Sequence, residues 1–516
     1  MTSRLRAALV ALVLLYGIAL ASFSLPAFPT ALSSDHRWPY LSDKPLGEDG
    51  FYMLTIAWNA GRGQGFAYNG GELTTGVQPL STIVDAAVAG AVQRSGGDKW
   101  IFARVMIVVG VLELLLFAAV MRRLTVAITR DESAANVAFL LVLCNYAVFR
   151  HFTYGLETGV SLILVAWCVR ATLPDAGRIR PVLFGALAGL AILARIDFAV
   201  VLAVILILAI VSRRLTVAGA CVAGAMATLV CAPWFLWVHH VSDHWFPSSG
   251  RSQILLLDGA HVAPRLMVMA NALGQPLSPW LYVELPKAAL LRVATGAWQP
   301  VVTWGVALIA AAVALAVAGR LTRAARTRAW EAGWMWAAAF GVLGASYVVF
   351  FNSEHFFARY MAPVSVLTIP VLAWALAGVA VRPAGRLLIV MLPALFVVTA
   401  AVTMHTGRIG NVHALTAGFI ERDLPPGARI GAFQSGVIGY FNETVINLDG
   451  KVNAASLGMA GGGREAYIDR ADIQYLVEWR GILLGGLDGA WLMAQWTPCP
   501  VQVPGGITVC LVRRSR

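Results

Sequence analysis

Apolar runs of about 20 residues, the length one helix needs to cross a bilayer, recur along the chain up to residue 404 between short polar stretches. They predict about eleven spanning helices, near residues 5–25, 101–121, 134–152, 157–173, 181–196, 198–212, 215–238, 300–319, 331–351, 360–381 and 386–404. The stretch Arg195-Ile196-Asp197 interrupts this apolar pattern. Three pieces are too long to be mere turns: 26–100, 239–299 and 405–516. In the first, apolar positions at helical spacing predict amphipathic helices at 51–62 and 79–93. The second is rich in Pro, His, Trp and Leu and predicts helices lying along the membrane surface. In the third, ARIGAF and NETVINLDG read as strands around a short helix in QSGVIGYF, with IQYLVEW as a further strand. The pattern therefore defines a polytopic α-helical membrane protein, with a transmembrane domain over 1–404 and a small α/β domain over 405–516.

Composition agrees: 59% of the 516 residues are hydrophobic and 13% charged, too apolar for a soluble chain. The net charge of +12 invites a nucleic-acid reading, but its placement excludes one. Arginines gather in every second short loop (Arg122, Arg123 and Arg130; Arg178 and Arg180; Arg213 and Arg214; Arg320, Arg323, Arg326 and Arg328; Arg382 and Arg386). Basic residues stay in the cytoplasm, so the charge encodes topology. With the N-terminus inside, an odd number of spans puts the C-terminal domain outside. Arg4 and Arg6, the apolar run and the small residues near 19–22 also resemble a signal peptide. That run is long enough to span and the later crossings need it for parity, so an uncleaved first helix is expected. Cys144, Cys168, Cys221 and Cys231 lie in apolar helices as packing residues. Cys499 and Cys510 stand apart, and in an outside domain they could form a disulfide across a hairpin.

Few residues remain to carry chemistry. Glu48 and Asp49 are adjacent acids placed just outside the first helix. They read equally as solvated loop acids, as acids at a helix N-terminus, or as a general base. Arg195 and Asp197 read as an ion pair near membrane level, with a substrate contact as the alternative. Glu157 is placed to cap the helix that follows it, or to bind an acceptor. His239, His240, Asp243 and His244 form HHVSDH at a helix end, where they could bind a divalent cation or simply mark an interface. Tyr52 and Trp58 could line a sugar pocket or belong to the packing. No P-loop or dinucleotide glycine signature is present.

The stretch EDGFYMLTIAWNAGRGQGFAYNGGELTTGVQPLSTIV resembles the first extracytoplasmic loop of GT-C superfamily membrane glycosyltransferases, which include protein mannosyltransferases and mycobacterial arabinofuranosyltransferases. Many members carry Asp-Asp where this chain has Glu48-Asp49. YGLET at 154–158, LARIDF at 193–198, SDHWFPSSGRSQ at 242–253, FFARYMAP at 356–363 and GVIGYFNETVINLDGKVN at 436–453 resemble further segments of bacterial members, in order along nearly the whole chain. The resemblance implies a donor in which the sugar is linked to polyprenyl phosphate, and a glycan, lipid or protein acceptor. It also implies an active site on the outer face of a bacterial inner membrane, with the C-terminal domain periplasmic. It implies Asp49 as catalytic base with Glu48 as helper or substitute, and basic residues on the lipid phosphate. Arg359, Arg251 and, one turn from Arg359, His355 are the candidates. No cofactor is required, although some members use a divalent cation. The C-terminal module is expected to bind the acceptor or a partner. The rival readings are a flippase or transporter of lipid-linked sugars and a non-catalytic envelope-assembly protein. The first predicts ionisable residues near the midplane, broken helices and internal symmetry, whereas nearly all acids of this chain fall in outer loops and no internal repeat is evident.

Overall fold

The structure, a computed structural model, describes residues 3–22, 45–69, 71–173, 178–252, 265–266, 268–269, 272, 328–351, 356–379, 392–394, 396–400, 412–457, 463–503 and 506–514. His355, the 300–319 span and most of 239–299 lie outside the described residues.

Long apolar helices run over Ser3–Ser22, Lys99–Thr129, Val217–Ser242 and Arg328–Phe350. Each is long and apolar enough to cross a membrane. Their starts follow from local chemistry. The Asp98 carboxylate accepts a hydrogen bond from the Ile101 amide, and the Thr216 hydroxyl accepts one from Gly219, each capping a helix. The span predicted at 134–152 is broken instead into Glu132–Leu143 and Tyr146–Thr153, bent by 60°. Asn145 explains the break, because its side chain accepts from the Val148 amide and starts a new helix rather than extending the old one.

The spans expected at 181–196 and 198–212 are shorter than predicted, at Pro181–Ala194 and Phe198–Val211. Fourteen residues rise about 21 Å, short of the roughly 30 Å hydrocarbon core. The extended backbone of Arg195 ends the first of the two, and in the turn that follows Arg195 is buried while Ile196 and Asp197 are partly exposed. Thr158–Ala171 is also short.

Helices also occupy the two places predicted in the first long loop, at Glu48–Gly61 and Pro79–Arg94. The first differs in character from an amphipathic surface helix: residues 50 to 59 are all buried. Its membrane side packs into the helical core, and its other faces are covered by the C-terminal module. That module has a five-stranded sheet of β1 (Ile430–Ala432), β2 (Val445–Asn447), β3 (Tyr475–Trp479), β4 (Trp496–Pro498) and β5 (Thr508–Arg513), in the order β2-β1-β3-β5-β4. β1 is parallel to β2 and β3, and helix Gly436–Phe441 makes the β1–β2 crossover that a parallel pair requires. β5 runs antiparallel to β3 and β4, and the Cys499–Cys510 disulfide ties β5 to the end of β4.

The module docks through polar struts. The Tyr52 hydroxyl donates to the Phe433 carbonyl at 2.9 Å and accepts from the Ser435 amide at 2.9 Å. The Asn69 amide donates to the Gly439 and Val445 carbonyls, and Lys99 to the Tyr440 carbonyl. Trp100 stacks on Phe441 with 4.4 Å between ring centroids.

Candidate active site

Glu48 and Asp49 form the first turn of helix Glu48–Gly61, and their side chains go separate ways. The residue after them is a glycine for a steric reason. A Cβ at Gly50 would lie 2.1 Å from the Tyr154 carbonyl oxygen, so only glycine lets the 154–158 turn close over this helix start. Glu48 reaches the C-terminal module. Its two oxygens accept hydrogen bonds from the Gly436 and Val437 amides at the start of helix Gly436–Phe441, and the His413 imidazole lies 3.8 Å from one of them. Amides at a helix start are unsatisfied within the helix, so a carboxylate there is a structural fit.

Asp49 instead faces two cations. Its Oδ2 accepts from an Arg359 Nη at 3.2 Å, and its Oδ1 lies 3.5 Å from Lys451 Nζ. Burial alone would raise the Asp49 carboxyl, but Lys451 and Arg359 outweigh it and hold the group below the ordinary carboxylate value. The same pairing raises the Lys451 ammonium and Arg359 guanidinium against their own burial. Asp449, beside Lys451 at 3.5 Å, is pushed up by burial. The Arg359 Nε–H is buried and has no hydrogen-bond partner among the described residues, a donor aimed at no protein acceptor. The Phe356 ring lies under both cations, 4.5 Å from the Arg359 guanidinium and 5.4 Å from Lys451 Nζ.

Further inside, Arg195 pairs with Asp197, and Glu157 lies 3.7 Å from it. Glu157 therefore serves Arg195. Although it sits at the N-cap position of helix Thr158–Ala171, its side chain makes no capping hydrogen bond. The Tyr347 hydroxyl joins Asp197, and the Tyr360 ring lies 5.0 Å from the Arg195 guanidinium and 5.2 Å from that of Arg359. Thus the segments singled out along the chain, at 48–49, 154–158, 195–197, 248, 359–360 and 451, meet in one region.

The other candidates fall elsewhere. Arg251 lines a cavity of about 190 Å³ with Thr75, Ser242, His244 and Ala454, rather than pairing with Asp49. Trp58 is buried against Phe102 at 5.6 Å and is part of the core, not a pocket wall; Tyr52 is a docking strut. The metal set is not gathered. Among the described residues no group of three or more His, Cys, Asp and Glu side chains could hold a metal ion. His239 and His240 are consecutive on a helix and so point about 100° apart, His239 stacks on Trp245 at 4.4 Å, and Asp243 turns away in a left-handed conformation. Lys451 and His413 were not among the sequence candidates.

No protein-family profile and no curated protein matches this chain. Solved structures do. The crystal structure of ArnT from Cupriavidus metallidurans bound to undecaprenyl phosphate aligns over 100% of this chain and 99% of its own, with TM-score 0.58 and 13% identity. The Archaeoglobus fulgidus oligosaccharyltransferase in the apo form aligns over 94% of this chain and 70% of its own, with TM-score 0.54 and 14% identity. The same archaeal enzyme, AglB, in complex with an inhibitory peptide and a dolichol-phosphate, gives TM-score 0.52 at 14% identity, over 93% and 70%. ArnT and AglB are GT-C superfamily glycosyltransferases. The fold of this chain is the GT-C fold, and the chain is a multi-pass membrane protein.

Proposed function

We propose that this protein is an inverting glycosyltransferase that moves a pentose or hexose from a polyprenyl-phosphate donor to a hydroxyl of a cell-envelope glycan, lipid or protein. The observation that carries this reading is Asp49, a partly buried carboxylate bracketed by Arg359 and Lys451 beside the outer loops of a GT-C fold. ArnT was crystallised with undecaprenyl phosphate and AglB with a dolichol-phosphate and a peptide, which supports a lipid-phosphate donor here.

In the proposed step, the acceptor oxygen attacks the anomeric carbon as its proton passes to Asp49. The carbon–oxygen bond to the lipid phosphate breaks, and its electron pair leaves on the phosphate. Attack opposite the leaving group inverts the anomeric centre. Arg359 holds the phosphate, with its Nε–H, which has no partner among the described residues, as a donor for a phosphate oxygen. A base must be unprotonated to act, and Asp49 is kept so. When the phosphate draws Arg359 toward itself, Asp49 loses part of that stabilisation and becomes more basic, which suits proton abstraction. The disulfide of the C-terminal module supports placing that module in an oxidising compartment outside the inner membrane, with the N-terminus cytoplasmic.

The test uses the full-length protein in lipid nanodiscs with polyprenyl-phosphoryl pentoses and hexoses and acceptor membranes, following release of polyprenyl phosphate. Asp49→Asn is expected to lower turnover by about 10²- to 10⁴-fold while undecaprenyl phosphate still binds. Full turnover in Asp49→Asn, Glu48→Gln and the double variant would remove the acids from this role.

A further inference from the structure

Two distant pieces of the chain converge on one backbone atom of a third, the carbonyl oxygen of Lys451 next to the site. The Ser248 hydroxyl donates to it at 2.8 Å. Ser248 is itself fixed, because its amide donates to the Thr75 hydroxyl at 3.1 Å. Gly76 lies flat against the same carbonyl: a Cβ there would sit 1.8 Å from the oxygen, so no other residue fits without moving the loop. Ser248 is buried, and its helix, Ser248–Arg251, is only one turn long, so little besides this contact explains its placement. On its own side, the 449–453 loop is shaped by Asn447 and Asp449, whose side chains accept from the Gly450 and Lys451 amides. With the backbone held on both sides, the Lys451 side chain runs to a point 3.5 Å from both Asp49 Oδ1 and Asp449 Oδ2.

Resting on the reading of Asp49 as base, we infer that Lys451 is a positioning residue for Asp49, carried by the C-terminal module and locked in place by a clamp of Gly76, Thr75 and Ser248. The Asp49 carboxylate thereby has one oxygen on a cation of the membrane domain and the other on a cation of the module. A carboxylate held at both ends cannot rotate away, and the site is complete only when the module is docked. Two loops that contribute no chemistry themselves, at 75–76 and 247–250, gain a role as the clamp. The charged groups beside this carboxylate are Arg359 from helix Phe357–Tyr360 and Lys451 and Asp449 from the module; Tyr360 acts on the two cations, and Glu48, next along the same helix, turns to the Gly436 and Val437 amides. With Lys451 removed, Arg359 alone opposes burial and the neighbouring acids, so protonation of Asp49 moves to higher pH.

Dicyclohexylcarbodiimide reacts with protonated carboxyls, so its labelling of Asp49 against pH, read by peptide mass spectrometry of the full-length protein in nanodiscs, reports this without any substrate. Lys451→Met is expected to raise Asp49 labelling at pH 5 about tenfold and to shift the labelling curve up by about one pH unit. Lys451→Arg keeps the wild-type curve. Gly76→Ala and Ser248→Ala, which leave Lys451 present but unclamped, shift the curve in the same direction by less. A uniform rise at every pH in Lys451→Met would mean that the substitution only opened the site, and would overturn the inference, as would an unchanged curve. Should Lys451→Met fail to fold, the clamp variants decide by the same criteria. Because labelling needs no turnover, an active Asp49→Asn enzyme would count against the base assignment and leave the Lys451 result standing by itself.

Discussion

Two charged centres share the Tyr360 ring, and they are built in opposite ways. Around Arg195, the main partner is two residues away, and Glu157 and Tyr347 close in from neighbouring helices. Arg195 is 4% exposed, and the centre replaces what would otherwise be a loop between two short helices. Around Asp49, the partners lie 310 and 402 residues along the chain, in different structural units. The Arg195 centre is a brace that lets a charged side chain sit inside the protein. The Asp49 centre exists only when the first loop, helix Phe357–Tyr360 and the module assemble, and one of its donors, Arg359 Nε, has no protein acceptor among the described residues. A brace and the proposed working site can thus look alike as ion pairs. What separates them is how far apart along the chain their members come from, since Arg195 Nη1 as well as Arg359 Nε is buried without a hydrogen bond among the described residues.

Substitutions in the two centres should part in kind. Asp197→Asn leaves a buried guanidinium short of its main counter-charge, which typically costs about 3–5 kcal/mol. Its effect should register as a lower unfolding midpoint in detergent. Arg359→Met should instead weaken undecaprenyl phosphate binding and turnover by about tenfold or more, since charge-assisted bonds to phosphate contribute roughly 1.5–3 kcal/mol each. Equal losses of stability with no change in phosphate binding would make Arg359 a second brace.

Glu48 sharpens the contrast from inside the acid pair itself. Its oxygens are taken by the Gly436 and Val437 amides, so Glu48→Gln loses charge and one acceptor at a helix start. The expected cost is about 1–3 kcal/mol, felt as easier protease cleavage between the membrane domain and the module. Turnover should fall less than in Asp49→Asn. The reverse order of activity loss would exchange the roles of the two acids.

The same distinction explains what could be read from the sequence. Local features were legible: the apolar helices, the β1–helix–β2 unit, the Arg195–Asp197 pair, and the position of the two acids at a helix start all depend on residues within one or two turns of each other. Where each acid's side chain goes was not legible, because Gly436 and Lys451, which receive them, lie nearly 400 residues away. Lys451 lay inside a stretch already matched to the superfamily, and lysine occurs only four times in this arginine-dominated chain. That rarity was the available signal. The fully buried character of helix Glu48–Gly61 was hidden for a related reason: its polar face is covered by a module that follows 400 residues later, and period alone cannot reveal that cover.

The smallest expected effect tests whether Asp49 is a held anion, through the pH dependence of stability. A carboxyl whose folded value is depressed contributes stability that is present above its unfolded value, about 3.9, and is lost as pH falls through the folded one. The difference in unfolding midpoint between wild type and Asp49→Asn should therefore stay flat from pH 7 to pH 5 and close only below about pH 4. Glu478 complicates the raw curve, because it carries the opposite sign. Burial pushes its carboxyl up to about 7, although the Phe433, Gln434 and Trp479 amides donate to it. A raised carboxyl makes the folded state bind more protons, so it lowers stability as pH climbs from about 4.5 toward 7. The comparison is best made in a Glu478→Gln background, where that slope is absent and the Asp49 difference stands alone. A difference that already closes between pH 7 and pH 5 would mean that Arg359 and Lys451 do not hold Asp49 as an anion, and the two centres would then differ in location only.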